Sequence, residues 1–361
     1  MNKNEIVYWV TLASMPTIWT RRKMEIFIEC FNRGISIIDL FEDSSLWPQL
    51  GMNEKEQLIF SNAKLELPNN SFLIEDLLSQ GYDIIPVTSD EYPTLLKLNL
   101  KVNAPLVIYT KGNKQLLNQP TIAIVGSRNA NDISLSFTDK IAKKTASERG
   151  VIVSGFAKGV DRQALDSAIS AEGSSIIVLP QGICTFASGF KQYFKYISQG
   201  KVLVMSTFYP KAPWSVAFAM ARNPIIYALA KSIYVAQSDE KGGTWSGVVD
   251  GLNKQRPIFV RYPQPNEKNA NLLLIQKGAK AVDQKGKLLS LSKEDSMLPE
   301  EKTIKKIKSL LLSGGAYSSK EIILRLGLNW SDNKMRKALR SIKEIQELKV
   351  GRVLKFSIVQ E

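Results

Sequence analysis

The chain has 361 residues, 44% of them apolar, a formal net charge of +14, two cysteines and no histidine. That length can bury at least one full core and suits two or three domains, and the excess of Lys and Arg favours an extended acidic partner, nucleic acid first among them. The lack of histidine excludes Ser-His-Asp hydrolysis, histidine-ligated zinc and histidine general-base chemistry, while Cys30 and Cys184, in unrelated apolar contexts, give no metal spacing and fit a reducing compartment.

In chain order, residues 1–65 read as a small helical domain, with apolar residues at helical spacing in Ile6–Leu12, Met24–Phe31 and Ile37–Phe41, broken by Pro16, Gly34 and Pro48. The first residues, interrupted by Asn, Glu and Pro, do not read as a signal peptide. No run reaches the roughly 20 apolar residues of a membrane span, so a cytoplasmic location without membrane contact is expected. From Gly81 the texture changes to short β-rich runs, DIIPV and APLVIY, around a brief helix at Thr94–Leu98.

Between Thr121 and Ala281, apolar runs alternate with helical patterns: TIAIVG, VIVSG, SSIIVLP, KVLVMS, SIYVA and PIFVRY, with helices predicted over 133–149, 160–171, 190–197, 214–229 and 245–252. Alternation of this kind, with continuous Val/Ile runs, predicts a doubly wound α/β domain on a parallel sheet, placed at residues 66–283. Residues 284–301 read as a linker. Residues 302–361 read as three helices and a hairpin around Gly351, the pattern of a winged helix, with Ser331-Asp332 opening a recognition helix. Its expected nucleic-acid contacts are Lys334, Arg336, Lys337, Arg340, Lys343 and Arg352. About half of the net charge lies there, since residues 300–361 hold 14 basic and 7 acidic residues.

The candidate site comes from strand ends. A strand ending in Gly lets the backbone approach an anion, and the next helix offers free N–H groups and its positive dipole end. Gly126, Ser127 and Arg128 follow one strand, and Gly155, Phe156, Lys158 and Gly159 follow another, with Asp161 expected to cap backbone amides. Arg222 and Asn223 are expected near a helix start on the same side, and Lys241, Gly243, Thr244 and Ser246 follow SIYVA. Four such segments predict one shared phosphate site. The first turn lacks GxGxxG spacing, which disfavours a dinucleotide cofactor.

VGSR, SGFAKGVD with Ala164 three residues on, ARNPIIYALA, KGGTWSG and NLLLIQKGA together resemble the DNA-processing protein A (DprA/Smf) family, and the likeness spans nearly the whole chain. The resemblance implies an extended Rossmann-like domain, an N-terminal helical (SAM/HhH-like) module and a C-terminal winged helix. It also implies binding of single-stranded DNA without sequence preference, a homodimer, and loading of a RecA-type recombinase in natural transformation, with no cofactor, metal or catalytic residue. Its phosphate pocket would be made by Ser127, Arg128, Gly155, Lys158, Arg222, Asn223, Gly243, Thr244 and Ser246. The chain departs from the family pattern at Leu165, usually His, at Pro224, usually a second Arg, and at Ser206-Thr207 and KGGTWSG. Three alternatives remain: a related nucleotide-cleaving enzyme, which needs a carboxylate where Gly247 stands or at Asp250; a DNA or nucleotide sensor; and a regulator using the winged helix on duplex DNA.

Overall fold

The computed structural model describes residues 3–359 apart from 266, 293, 296 and 352. It divides into two units, Met1–Leu289 and Ser290–Glu361. The first opens with helices α1 (Lys3–Ser14), α2 (Thr20–Asn32), α3 (Ile37–Glu42), α4 (Leu46–Gln49), α5 (Glu54–Leu65) and α6 (Leu67–Ser79). Capping boxes set two starts, Ser36 with Asp39 for α3 and Asn53 with Glu56 for α5. The helical run continues through α6 to Ser79, because a proline in the first turn of α6 suits that position and Leu73, Ile74 and Leu77 are buried.

Next come β1 (Asp83–Pro86), α7 (Thr94–Leu100), β2 (Val107–Gly112), β3 (Thr121–Val125), α8 (Asp132–Ser147), β4 (Val151–Ser154), α9 (Val160–Ser170), β5 (Ser174–Val178) and α10 (Ala187–Ser198). The unit finishes with β6 (Val202–Ser206), α11 (Val216–Leu229), β7 (Ser232–Val235), α12 (Gly243–Asn253), β8 (Ile258–Arg261), α13 (Asn271–Gln276) and β9 (Lys280–Val282). All nine strands form one sheet in the order β1-β2-β6-β5-β4-β3-β7-β8-β9. Neighbours from β6 across to β9 are parallel, whereas β2 runs antiparallel to both β1 and β6. This is a mixed α/β fold on a large, mainly parallel sheet.

Helices cover both faces, which is why the strands read as continuous apolar runs. Ile124, Ile152 and Ala236 share one cluster with Phe137, Ile141, Val160 and Ala164. Their sequence neighbours Val125, Val153 and Val235 belong to the larger core with Ile225, Ile226 and Leu229. Strand order proceeds from β3 to β6 in one direction, then returns beside β3 to continue through β7 to β9. A crevice opens beyond the carboxyl ends of strands where order reverses in this way, here between β3 and β7.

The second unit holds α14 (Pro299–Leu312), α15 (Ser319–Arg325), α16 (Asp332–Arg340) and the hairpin β10 (Ile345–Val350) and β11 (Val353–Ile358). Its own core contains Ile307, Leu311, Ile322, Met335, Leu339 and Phe356. Ser331 caps α16 by accepting from the Lys334 amide, but the helix ends at Arg340, so Lys343 lies beyond it rather than on it. Among the described residues, no helix is long and apolar enough to cross a membrane, and no cluster of three or more His, Cys, Asp or Glu suits a metal.

Candidate functional site

The crevice between β3 and β7 contains a recess of ≈ 430 Å³, lined by Gly126, Ser127, Arg128, Ala157, Asp161, Arg222, Asn223, Tyr227, Asp239, Lys241, Gly243 and Thr244 among others. An adjoining cavity of ≈ 280 Å³ shares Arg128, Ala157 and Arg222 and adds Gly155, Phe156, Lys158, Phe186 and Trp214. The structure thus brings Arg128, Lys158 and Arg222 to one place. Gly159 lines neither cavity but fixes the loop, since φ is +77° and a Cβ would meet the Ser127 carbonyl at 2.5 Å. Ser246 is outside both linings, its hydroxyl donating back to the Gly242 carbonyl at 3.0 Å.

Arg222 and Asn223 do not stand at a helix start; they lie mid-way along α11, followed by Pro224 inside the helix. From there Arg222 reaches under the sheet edge. It is 5% exposed, Nη1 donates to the Val178 carbonyl at 3.1 Å, and Nε is buried with no partner among the described residues. The guanidinium occupies the space beside Gly155, where a Cβ would come within 1.5 Å of Nη1. Burial pulls the pKa of Arg222 down, against the nearby charge of Asp161.

Asp161 takes the expected structural part. Its Oδ2 accepts from the Gly155 amide at 3.2 Å, and burial raises its pKa against the opposing pull of Arg222 and the amides of Ala157 and Gly155. Tyr227, one turn beyond Asn223 on α11, was not marked by its sequence context of apolar residues. Its buried hydroxyl has no partner among the described residues. Asp239 is another lining residue without a motif to reveal it, accepting from the Ser127 hydroxyl at 3.2 Å. Buried polar groups are ordinarily paired; Arg222 Nε and the Tyr227 hydroxyl, in two residues that line the recess, are exceptions among the described residues.

Three helices begin at this edge, and they differ. The α8 start is closed by the Asn131 side chain accepting from the Ser134 amide at 2.8 Å. At α9 the amides of Val160 and Arg162 donate to the carbonyls of Ser127 and Ala157 at 3.4 and 3.0 Å. The α12 start carries no capping side chain: Gly242 stands at φ +96° and Gly243 and Thr244 follow. Asn223 steadies it by donating from Nδ2 to the Gly243 carbonyl at 3.3 Å. Of the two Gly turns that stand out in sequence, neither therefore precedes the open helix start.

Phe156 packs more than it projects. At φ +64° its ring meets Phe186 and Tyr193 edge-on at 4.8 and 5.6 Å, and the Arg162 guanidinium covers it at 3.9 Å. In the second unit, Lys334, Arg336 and Arg340 are paired with Glu300, Asp332 and Glu347, while Lys337 and Lys343 are exposed and Arg352 lies outside the described residues. Asp250 is paired with Lys254 at 2.7 Å and lines a separate small cavity rather than the recess.

The family model of DNA recombination-mediator protein A matches residues 83–293, more than half of the chain. The chain belongs to that family. Among curated members it is 30% identical over 207 residues to DNA processing protein DprA of Bacillus subtilis, covering 56% of this chain and 69% of that protein. It is 31% identical over 195 residues to its counterpart in Streptococcus pneumoniae, covering 52% and 67%. The X-ray structure of the S. pneumoniae protein shares the fold, with a TM-score of 0.61 at 24% identity over 78% of this chain and 95% of that one. The DprA match contains every lining residue of the recess and none of the cations at 334–352.

Proposed function

We propose that this protein binds single-stranded DNA without sequence preference and does so as a recombination mediator, not as an enzyme. The observation that carries the reading is the uncapped α12 start facing Arg222, whose guanidinium is buried without a carboxylate ion pair among the described residues. Phosphate satisfies both: the helix end supplies N–H groups and positive dipole, and the cations complete the charge. Arg128, Lys158 and Lys241 are exposed and bring further positive charge to the same edge, with Gly126, Ser127, Gly155, Asn223 and Gly243 shaping the backbone around the phosphates. The family name supports the mediator role; a homodimer that hands the strand to a RecA-type recombinase in the cytoplasm is the further part of this proposal.

The partition we propose is a helical module over 1–65, the DNA-binding domain over 66–283, a linker over 284–301 and a winged helix over 302–361. In the last, α16 would contact nucleic acid, duplex included, through Lys334, Arg336, Lys337 and Arg340, and Lys343 and Arg352 are further proposed contacts. The ion pairs of three of these are at least partly exposed, the kind that holds weakly and exchanges readily for phosphate.

Anisotropy titrations of single-stranded and duplex oligonucleotides test this. Single strands of any sequence should bind more tightly than duplex, with affinity falling roughly ten- to a thousandfold from low to physiological salt. Arg128→Ala and Lys158→Ala should each weaken all single strands alike and lower the salt slope by about 1. Unchanged binding in both folded variants, or release of free base from nucleoside monophosphates, defeats the reading.

A further inference from the structure

A second groove lies away from the recess, against α10 and the C-terminal end of β2. Its volume is ≈ 810 Å³, and Lys111, Phe190, Lys191, Phe194 and Ile197 help line it. Phe194 is 70% exposed, on a helix whose inner face is packed through Tyr193. Lys191 and Lys195 flank it, both exposed, and α10 has no acidic residue. Nearby carboxylates are engaged: Asp166 accepts from the Tyr193 hydroxyl at 2.6 Å, Asp76 from Gln80 at 2.8 Å, and Glu172 pairs with Lys201.

Packed aromatic rings lie between this groove and the cavity adjoining the recess. Phe156, which lines the cavity adjoining the recess, touches Phe186 at 4.8 Å, and Phe186 touches Phe190 at 5.5 Å. Between the two sites, Arg162 lies on the Phe156 ring, donates from Nη1 to Gln192 of α10 at 3.2 Å, and keeps a buried Nε without a partner among the described residues. Lys158, Arg162, Lys191 and Lys195 are cations between and around the two sites, and Lys195 is near enough to Glu172 to help hold that carboxyl's pKa down.

We propose that the α10 groove is a second station for the same single strand, in which Phe194 stacks a base and Lys191 and Lys195 hold the adjoining phosphates. Exposed aromatics interleaved with cations suit single-stranded nucleic acid, because every base has a face to stack and every linkage a charge. A second copy of this chain fits less well, since its formal charge of +14 would meet a cationic face. The inference rests on the recess holding the strand, and strand length separates the two.

The full-length protein is titrated with oligothymidylates of about five and about twenty nucleotides, lengths on either side of a typical single-strand site. Phe194→Ala and the double variant Lys191→Glu/Lys195→Glu should weaken the long oligomer about tenfold and leave the short one unchanged, and Phe194→Trp should retain wild-type affinity. Arg128→Ala should weaken both lengths. Should Arg128→Ala change neither while Phe194→Ala still weakens the long strand, the recess reading fails and the groove stands alone. Equal affinity of all groove variants for the long strand overturns the proposal, as does equal loss on the short one. A shift in oligomeric state by light scattering with binding intact assigns the face to a second copy and overturns it too.

Discussion

A methyl group at Gly155 would stand 1.5 Å from Nη1 of Arg222, so the guanidinium would have to leave its seat for the adjoining cavity. Gly155→Ala should therefore lose single-strand binding as fully as Arg222→Ala, and cost about 1–3 kcal/mol of stability from overpacking; paired anisotropy and thermal-melt measurements check both. Lys23 provides a test unrelated to binding. It is 4% exposed, donates to the carbonyls of Ala13 and Met15 at 2.7 Å each, and burial pushes its ammonium down to about 8. A neutral amine has two N–H groups, enough for both carbonyls. Because the folded pKa is depressed, the unfolded chain binds the extra proton between pH 8 and 10.5, and stability from this group rises with pH across that window. Unfolding free energy of wild type relative to Lys23→Met should increase by about 2 kcal/mol from pH 8 to pH 10, and a flat difference would contradict the assignment. At this scale the site was partly legible. Gly126, Arg128 and Lys158 stood out because glycine and a cation in a strand-end turn have few other uses. Tyr227 did not, because tyrosine within ARNPIIYALA reads as core until its hydroxyl is found unpaired. Leu165, which stands where the family usually has His, is fully buried in the core, and so is accounted for by packing.

Among elements, the parallel strands and their helices follow the sequence closely: predicted helices over 133–149 and 160–171 correspond to Asp132–Ser147 and Val160–Ser170. Buried strands have only one composition available to them, which makes them easy to find. Helix caps are harder. The α9 start is closed by the Ser127 carbonyl, contributed by a segment 33 residues earlier than the Val160 amide it serves, and nothing local announces it. That difference leaves α12 as the open end and gives a prediction of opposite signs. Thr244→Asp places a carboxylate in the first turn of α12, where it should stabilise the protein by about 0.3–1 kcal/mol through the dipole. The same charge stands where phosphate is proposed to bind, so single-strand affinity should fall at least tenfold, as like charges in a partly buried site repel strongly. Melting temperature and anisotropy on one preparation separate the two effects. A variant that is more stable and binds normally would move the phosphate away from α12.

For the whole molecule, the question is how charge is shared between two units that each have a core. Composition showed half of the excess charge in the last sixth of the chain, but not its state: Lys334, Arg336 and Arg340 are spoken for by Glu300, Asp332 and Glu347; Asp332 is one helical turn from Arg336, whereas Glu300, 34 residues from Lys334, could be matched to it only after folding. The recess, by contrast, keeps Arg222 free of carboxylate ion pairs among the described residues. Specific affinity for single strands should therefore reside in the first unit, with the second adding a weaker, more salt-sensitive contribution. A chain ending at Leu289 should keep its preference for single strand over duplex and lose no more than about tenfold in affinity at physiological salt. The loss should be greater at low salt, where exposed cations act over a Debye length of about 30 Å instead of about 8 Å. Residues 290–361 alone should bind single strand and duplex with similar, weak affinity that disappears at high salt. Reversal of that order, with the short unit holding the strand preference and the long one none, would place recognition on α16 and leave the β3–β7 recess for another ligand.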